Sequence, residues 1–149
     1  MELFFILDLS IFIVINLANI FACLMFVGRV KKPYLADLFG KLFVSLGIPL
    51  FVIVVLNFLL SREWWFWIFP SILIAFIIFI IIVDYIKKIE FRKPKNYRIL
   101  IPFLIFYYCG LILTWGITWA INIIYGIITS LTYFLQVGAS IYASKHGVG

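Results

Sequence analysis

From Ile99 to Ser144 the sequence runs for 46 residues without an aspartate, glutamate, lysine or arginine. As one helix this stretch would be about 69 Å long, against about 30 Å of bilayer hydrocarbon. It must cross a membrane twice or fold back within it. The expected break is "TWGITWAIN", Thr114 to Asn122, where Gly116 gives flexibility and Trp115 and Trp119 suit an interface.

The rest of the chain has the same character. It is 66% hydrophobic and only 12% charged, with a mean hydropathy of +1.23. Those values exclude an ordinary soluble domain, in which about a quarter of residues are charged. In lipid every backbone polar group must be paired internally, which leaves helices or a closed barrel. Barrel strands alternate apolar and polar residues over about ten positions. Here the apolar runs are continuous, so the spans are helical. Five are expected, at 3–27, 40–60, 64–86, 99–118 and 121–144, forming one transmembrane domain over residues 1–149. The fold class is thus an all-α integral membrane protein, a five-helix transmembrane bundle. A four-span arrangement, with residues 99–144 as one span plus an interfacial helix, is the alternative.

Charge placement gives an orientation. Lysine and arginine collect in cytoplasmic loops. Arg29, Lys31, Lys32 and Lys41 fall in loop 29–41, and Lys87, Lys88, Arg92, Lys93, Lys95 and Arg98 in loop 87–98. Lys145 follows the last span. Five spans put these eleven bases on one side and leave only Arg62 on the other. The expected topology is N-out/C-in, in the plasma membrane of a prokaryotic-type cell. All five tryptophans (64, 65, 67, 115 and 119) then sit at the two outer turns, where interfacial aromatic residues belong. Residues 3–27 are read as a retained span, because the chain opens on Glu2 without a base and the run exceeds a signal peptide's apolar core.

Enzyme signatures are missing: the sequence has no HExxH, GxSxG, P-loop or CxxC. Cys23, Cys109 and the single histidine, His146, are too scattered for a zinc set. No catalytic residue, metal or cofactor is expected, and the positive charge is assigned to topology rather than to nucleic acid.

Polar residues within spans are costly and therefore informative. At 100° per residue, Asp8, Asn16, Asn19 and Cys23 share one arc of the first helix. Asn122, Gly126, Thr129, Tyr133, Gln136, Ser140 and Ser144 share one arc of the last. Tyr107, Gly110, Thr114 and Thr118 lie on one side of the fourth. The second and third helices read as lipid-facing. The expected interior cluster is Asp8, Asn16, Asn19, Tyr107, Thr129, Tyr133, Gln136 and Ser140. It serves either as glue between helices or as the lining of a path. Asp84 is expected to pair with Lys88 at i+4 near the inner interface.

The expected partners are the bilayer itself, another membrane protein or a second copy. Anionic lipid headgroups at the cytoplasmic face are expected at Arg29, Lys31, Lys32, Lys87, Lys88, Arg92, Lys93, Lys95 and Arg98. The expected function is that of a small non-enzymatic interaction, subunit or assembly partner working through helix packing. The alternative is permeation of a small solute or ion along the polar faces of the first and last spans.

Overall fold

The computed structural model describes residues 2–91 and 95–148. Arg92 and Lys93, two of the expected lipid contacts, and Pro94 lie outside the described residues. The described residues contain no strand. Six α-helices follow one another: α1 Glu2–Lys31, α2 Pro33–Ser45, α3 Gly47–Leu59, α4 Trp65–Ile80, α5 Tyr97–Ile121 and α6 Ile123–Lys145. A π-helical segment, Ile81–Ile86, continues α4. With α2 and α3 as two halves of one span, five helical stretches are long and apolar enough to cross a membrane.

The second span is broken for a clear reason. Pro49 has no N–H to offer the Ser45 carbonyl, and its ring crowds that oxygen. The helix therefore stops at Ser45, turns at Leu46 and restarts at Gly47. The halves then take different partners: α2 packs along α1, and α3 packs mainly on α4.

The connections are shorter than expected. Loop 29–41 is not a loop. α1 runs to Lys31, Lys32 alone is extended, and Pro33 opens α2. Proline at a first helical position costs no hydrogen bond, because that N–H has no partner in any helix. The tight return needs Gly28: a Cβ there would come within 2.8 Å of the Ala36 nitrogen. The break in the long apolar stretch is equally tight. It falls at Asn122, the last residue of the expected window, and α5 passes through Gly116 without interruption. Asn122 is extended, and its side chain accepts a 2.7 Å hydrogen bond from the Ile124 nitrogen, capping α6. Two helices, α5 and α6, thus replace the single span of the four-span alternative.

The helices form a ring. α1 meets α6, α6 meets α5, α5 meets α4, α4 meets α3, and α2 returns to α1. The core fills its centre with Ile11, Ile15, Leu50, Leu73, Phe76, Leu111 and Ile117. The expectation that the second and third spans face lipid is therefore corrected. They supply Phe43, Leu50, Ile53, Leu73, Phe76 and Ile77 to that core. The uniform hydrophobicity of both spans hid a buried face, since lipid and a protein core select the same residues. Gly110, Thr114 and Thr118 are buried on α5, with Gly110 pressed on Leu73 of α4. The two threonine hydroxyls turn back to carbonyls of their own helix, at 2.7 Å to Gly110 and Trp115.

Candidate functional site

The polar faces of α1 and α6 meet in one seam. The two helices run parallel, and a constant sequence offset of 113 joins Asn16 to Thr129 and Asn19 to Thr132. Asn16 Nδ2 donates to the Phe12 carbonyl at 2.8 Å and to Thr129 Oγ1 at 3.0 Å. Thr132 Oγ1 donates to Asn16 Oδ1 at 2.7 Å and accepts from Asn19 Nδ2 at 3.1 Å. Asn16, Asn19 and Thr129 are buried and Thr132 is half-buried. The four side chains bond to one another across the seam, and of their buried polar atoms only Asn19 Oδ1 has no partner among the described residues. Every polar atom of the Asn16 side chain is engaged, so little is left to solvate an ion or solute.

The other expected members occupy different places. Tyr133 stacks on Trp115, rings 5.2 Å apart and 10° from parallel. The Trp115 indole N–H donates to Ser130 Oγ at 2.9 Å, tying α5 to α6 beside that stack. Ser140 lies one to two turns further on, within 3.2 Å of the Tyr108 hydroxyl. Gln136 is fully buried, yet neither end of its amide has a hydrogen-bond partner among the described residues. Asn19 Oδ1 is likewise unpartnered. Tyr107 is absent from the seam. Its ring packs against Phe26, Phe76 and Phe103, and its buried hydroxyl has no partner among the described residues. Ser144 and Asn122 are exposed.

Asp8 is also separate from the seam. Arg62 Nη1 donates to its carboxylate at 2.7 Å, and both side chains are mostly buried. The same nitrogen reaches Asn57 Oδ1 at 3.2 Å, and the guanidinium lies 3.7 Å from the Phe66 ring centre. The one base expected outside thus meets an acid about two turns into α1.

Asp84 and Lys88 do not form the expected helical pair. The chain turns π-helical at Ile81, and Lys88 sits at φ 49°, in the left-handed region. The i,i+4 geometry does not reach Lys88. Of the expected headgroup contacts, Lys31, Lys32, Lys87, Lys88, Lys95 and Arg98 are exposed. Arg29 is half-buried, with its guanidinium near Met25 Sδ and 5.1 Å from the Phe26 ring centre.

Sequence reasoning missed Thr132, Asn57 and Arg62. Thr132 carried a readable signal: Asn16/Asn19 and Thr129/Thr132 are both i,i+3 pairs, and two parallel helices match such pairs in register. Arg62 gave no sign of its pairing, because Asp8 is 54 positions away, and Asn57 enters only through Arg62.

Fold and site together define a helical bundle with five helical stretches long and apolar enough to cross a membrane, joined by buried polar side chains at its α1–α6 seam. Comparison with protein families, curated proteins and solved structures finds no match for this chain.

Proposed function

We propose that the chain is a multi-pass protein of a prokaryotic-type plasma membrane that acts without catalysis, as a subunit, scaffold or assembly partner. The carrying observation is the cross-helix Asn16–Asn19–Thr129–Thr132 network. The two polar faces that could have lined a path bond to each other. Interhelical hydrogen bonds of this kind contribute about 0.6–2 kcal/mol each in membranes. They hold helices together and leave the apolar outer faces for lipid or for a partner helix.

The orientation proposed is N-out/C-in. It rests on the bases, which gather at the end where α1 finishes and α5 begins, with Arg62 alone at the opposite end. An impermeant thiol reagent added to intact cells labels Ser61→Cys and spares Lys95→Cys under this topology. The reverse pattern overturns it.

Reconstituted vesicles test the packing role against permeation. Under the packing role, proton and small-solute leak stays at the level of protein-free vesicles. A flux that Asn16→Leu or Thr132→Val alters would establish the path instead.

A further inference from the structure

The bundle holds a cavity of about 220 Å³ at its basic end, separate from the seam. Its origin is the break at Leu46. α2 follows α1 while α3 follows α4, so the span diverges from the end of α4 and leaves room between them. The π-helical segment shapes the other wall. With i→i+5 hydrogen bonding, Tyr85 returns beneath Ile80. Ile80, Asp84 and Tyr85 therefore all line the cavity.

The cavity is amphipathic along its depth. Phe43, Phe76 and Phe103 make its apolar walls, and Arg29 stands in its lining seven residues along α1 from Ala22. That separation is about 10 Å of helix. Tyr107, in the same lining, is 3% exposed, and its hydroxyl has no hydrogen-bond partner among the described residues. The volume falls below the roughly 300–1,000 Å³ of a drug-sized site, so it suits part of a larger molecule.

Charge selects the ligand. Asp37, one of two acids in the lining, is held by Lys41 at 2.6 Å. The lining itself carries Arg29 with Asp37 and Asp84, while the same end of the bundle adds Lys31, Lys32, Lys41, Lys87, Lys88, Lys95 and Arg98 against Glu90. That excess of bases draws anions to this end.

We propose that the cavity binds one anionic membrane phospholipid, entering between α2 and the end of α4. Its phosphate lies against Arg29, and the start of one acyl chain lies among Phe43, Phe76 and Phe103. The Tyr107 hydroxyl is a second donor for a ligand oxygen. This site does not depend on the packing role proposed above.

The test is native mass spectrometry of the full chain, purified in a neutral detergent and loaded with phosphatidylglycerol or with phosphatidylcholine of the same chains. Phosphatidylglycerol is expected to bind about tenfold more tightly. Arg29→Gln removes most of that difference. Gly40→Leu does so by filling the mouth, where its Cβ meets Met25 Sδ and the Tyr85 hydroxyl at an ordinary 3.6 Å. Tyr107→Phe weakens binding severalfold, whereas Lys31→Gln and Lys32→Gln, which lower only the general attraction, reduce it far less than Arg29→Gln. Circular dichroism and melting temperature confirm that each variant is folded. Equal retention of the two lipids overturns the proposal. So does wild-type binding by folded Arg29→Gln and Gly40→Leu, which would mean general surface attraction. Binding of laurate without phosphatidylglycerol would overturn the phospholipid assignment in favour of a free fatty acid.

Discussion

The two ends of the bundle are built from similar apolar helices and handle polar groups in opposite ways. At the Arg62 end most are matched, the buried Trp65 indole N–H being the exception among the described residues. Arg62 is shared between Asp8 and Asn57 and lies over Phe66, and Asn122 caps a one-residue turn. At the basic end the second span has parted from α4, the third has turned π-helical, and Tyr107 keeps an unpartnered hydroxyl beside a cavity. The difference shows what polar residues do in a bundle of this kind. Where they find each other, the helices close. Beside Tyr107, which finds no polar partner among the described residues, the fold leaves space.

If the Arg62 end is a clamp, removing its centre gives the largest effect. Arg62→Ala strands a mostly buried carboxylate and frees the α3–α4 turn from α1. The expected loss is about 2–3 kcal/mol, at the low end for buried pairs because both groups keep some exposure. Unfolding titration in mixed micelles measures it. Asp8→Asn costs less, since an amide oxygen still accepts from the guanidinium. A double variant no worse than Arg62→Ala alone establishes that the two losses are one interaction. Fully additive losses would break the clamp reading.

The α5–α6 turn belongs to the same closed end and gives the next effect. A Cβ at Gly126 would overlap the Trp119 indole, which lies flat on the first turn of α6. Gly126→Ala is expected to cost about 1–3 kcal/mol by overpacking. Trp119→Leu in the same chain relieves most of that cost. Wild-type stability in Gly126→Ala alone would mean that the ring is free to move away.

The seam is the third place to press. Thr132→Val keeps the shape and removes the one hydroxyl that both asparagines use. About 1 kcal/mol is expected, for interhelical hydrogen bonds in membranes are individually modest. Ser10→Ala is the comparison, since its hydroxyl bonds only within α1, at 2.7 Å to the Ile6 carbonyl. Equal effects would demote the seam to ordinary helix surface.

The count of span-length helical stretches was legible in the sequence because length and charge placement leave few alternatives. A 46-residue uncharged stretch cannot be one span, and its break fell inside the expected window. The arcs of α1 and α6 were legible for a related reason: asparagine and threonine stand out against leucine and isoleucine. What faded was everything written in apolar residues. Phe76 in the core and Ile78 in the outer surface look alike in sequence, so the buried faces of the second and third spans gave no signal. Pairings between distant helices were also unreadable. Asp8 could be placed near one end, but nothing local joins it to Arg62. Tyr107 was placed in the interior on its depth and lies there, yet on the side of α5 that meets Phe26 and Phe76 rather than the seam.

The smallest expected effect has the opposite sign and separates the two behaviours within one helix. Gln136 continues the face of α6 that carries Thr129, and is fully buried as Thr129 is. Thr129 accepts from Asn16, whereas the Gln136 amide finds no partner among the described residues. A buried amide without hydrogen bonds lowers stability, and an apolar side chain of the same length does not carry that penalty. Gln136→Met is therefore expected to stabilise the chain by about 0.5–1 kcal/mol, a rise seen in the same micelle titration. Thr129→Val, one helical face and two turns away, is expected to destabilise. If Gln136→Met destabilises as well, the amide is engaged in the membrane by water or by a partner helix. The unmatched half of α6 would then be a contact surface rather than a gap in the packing.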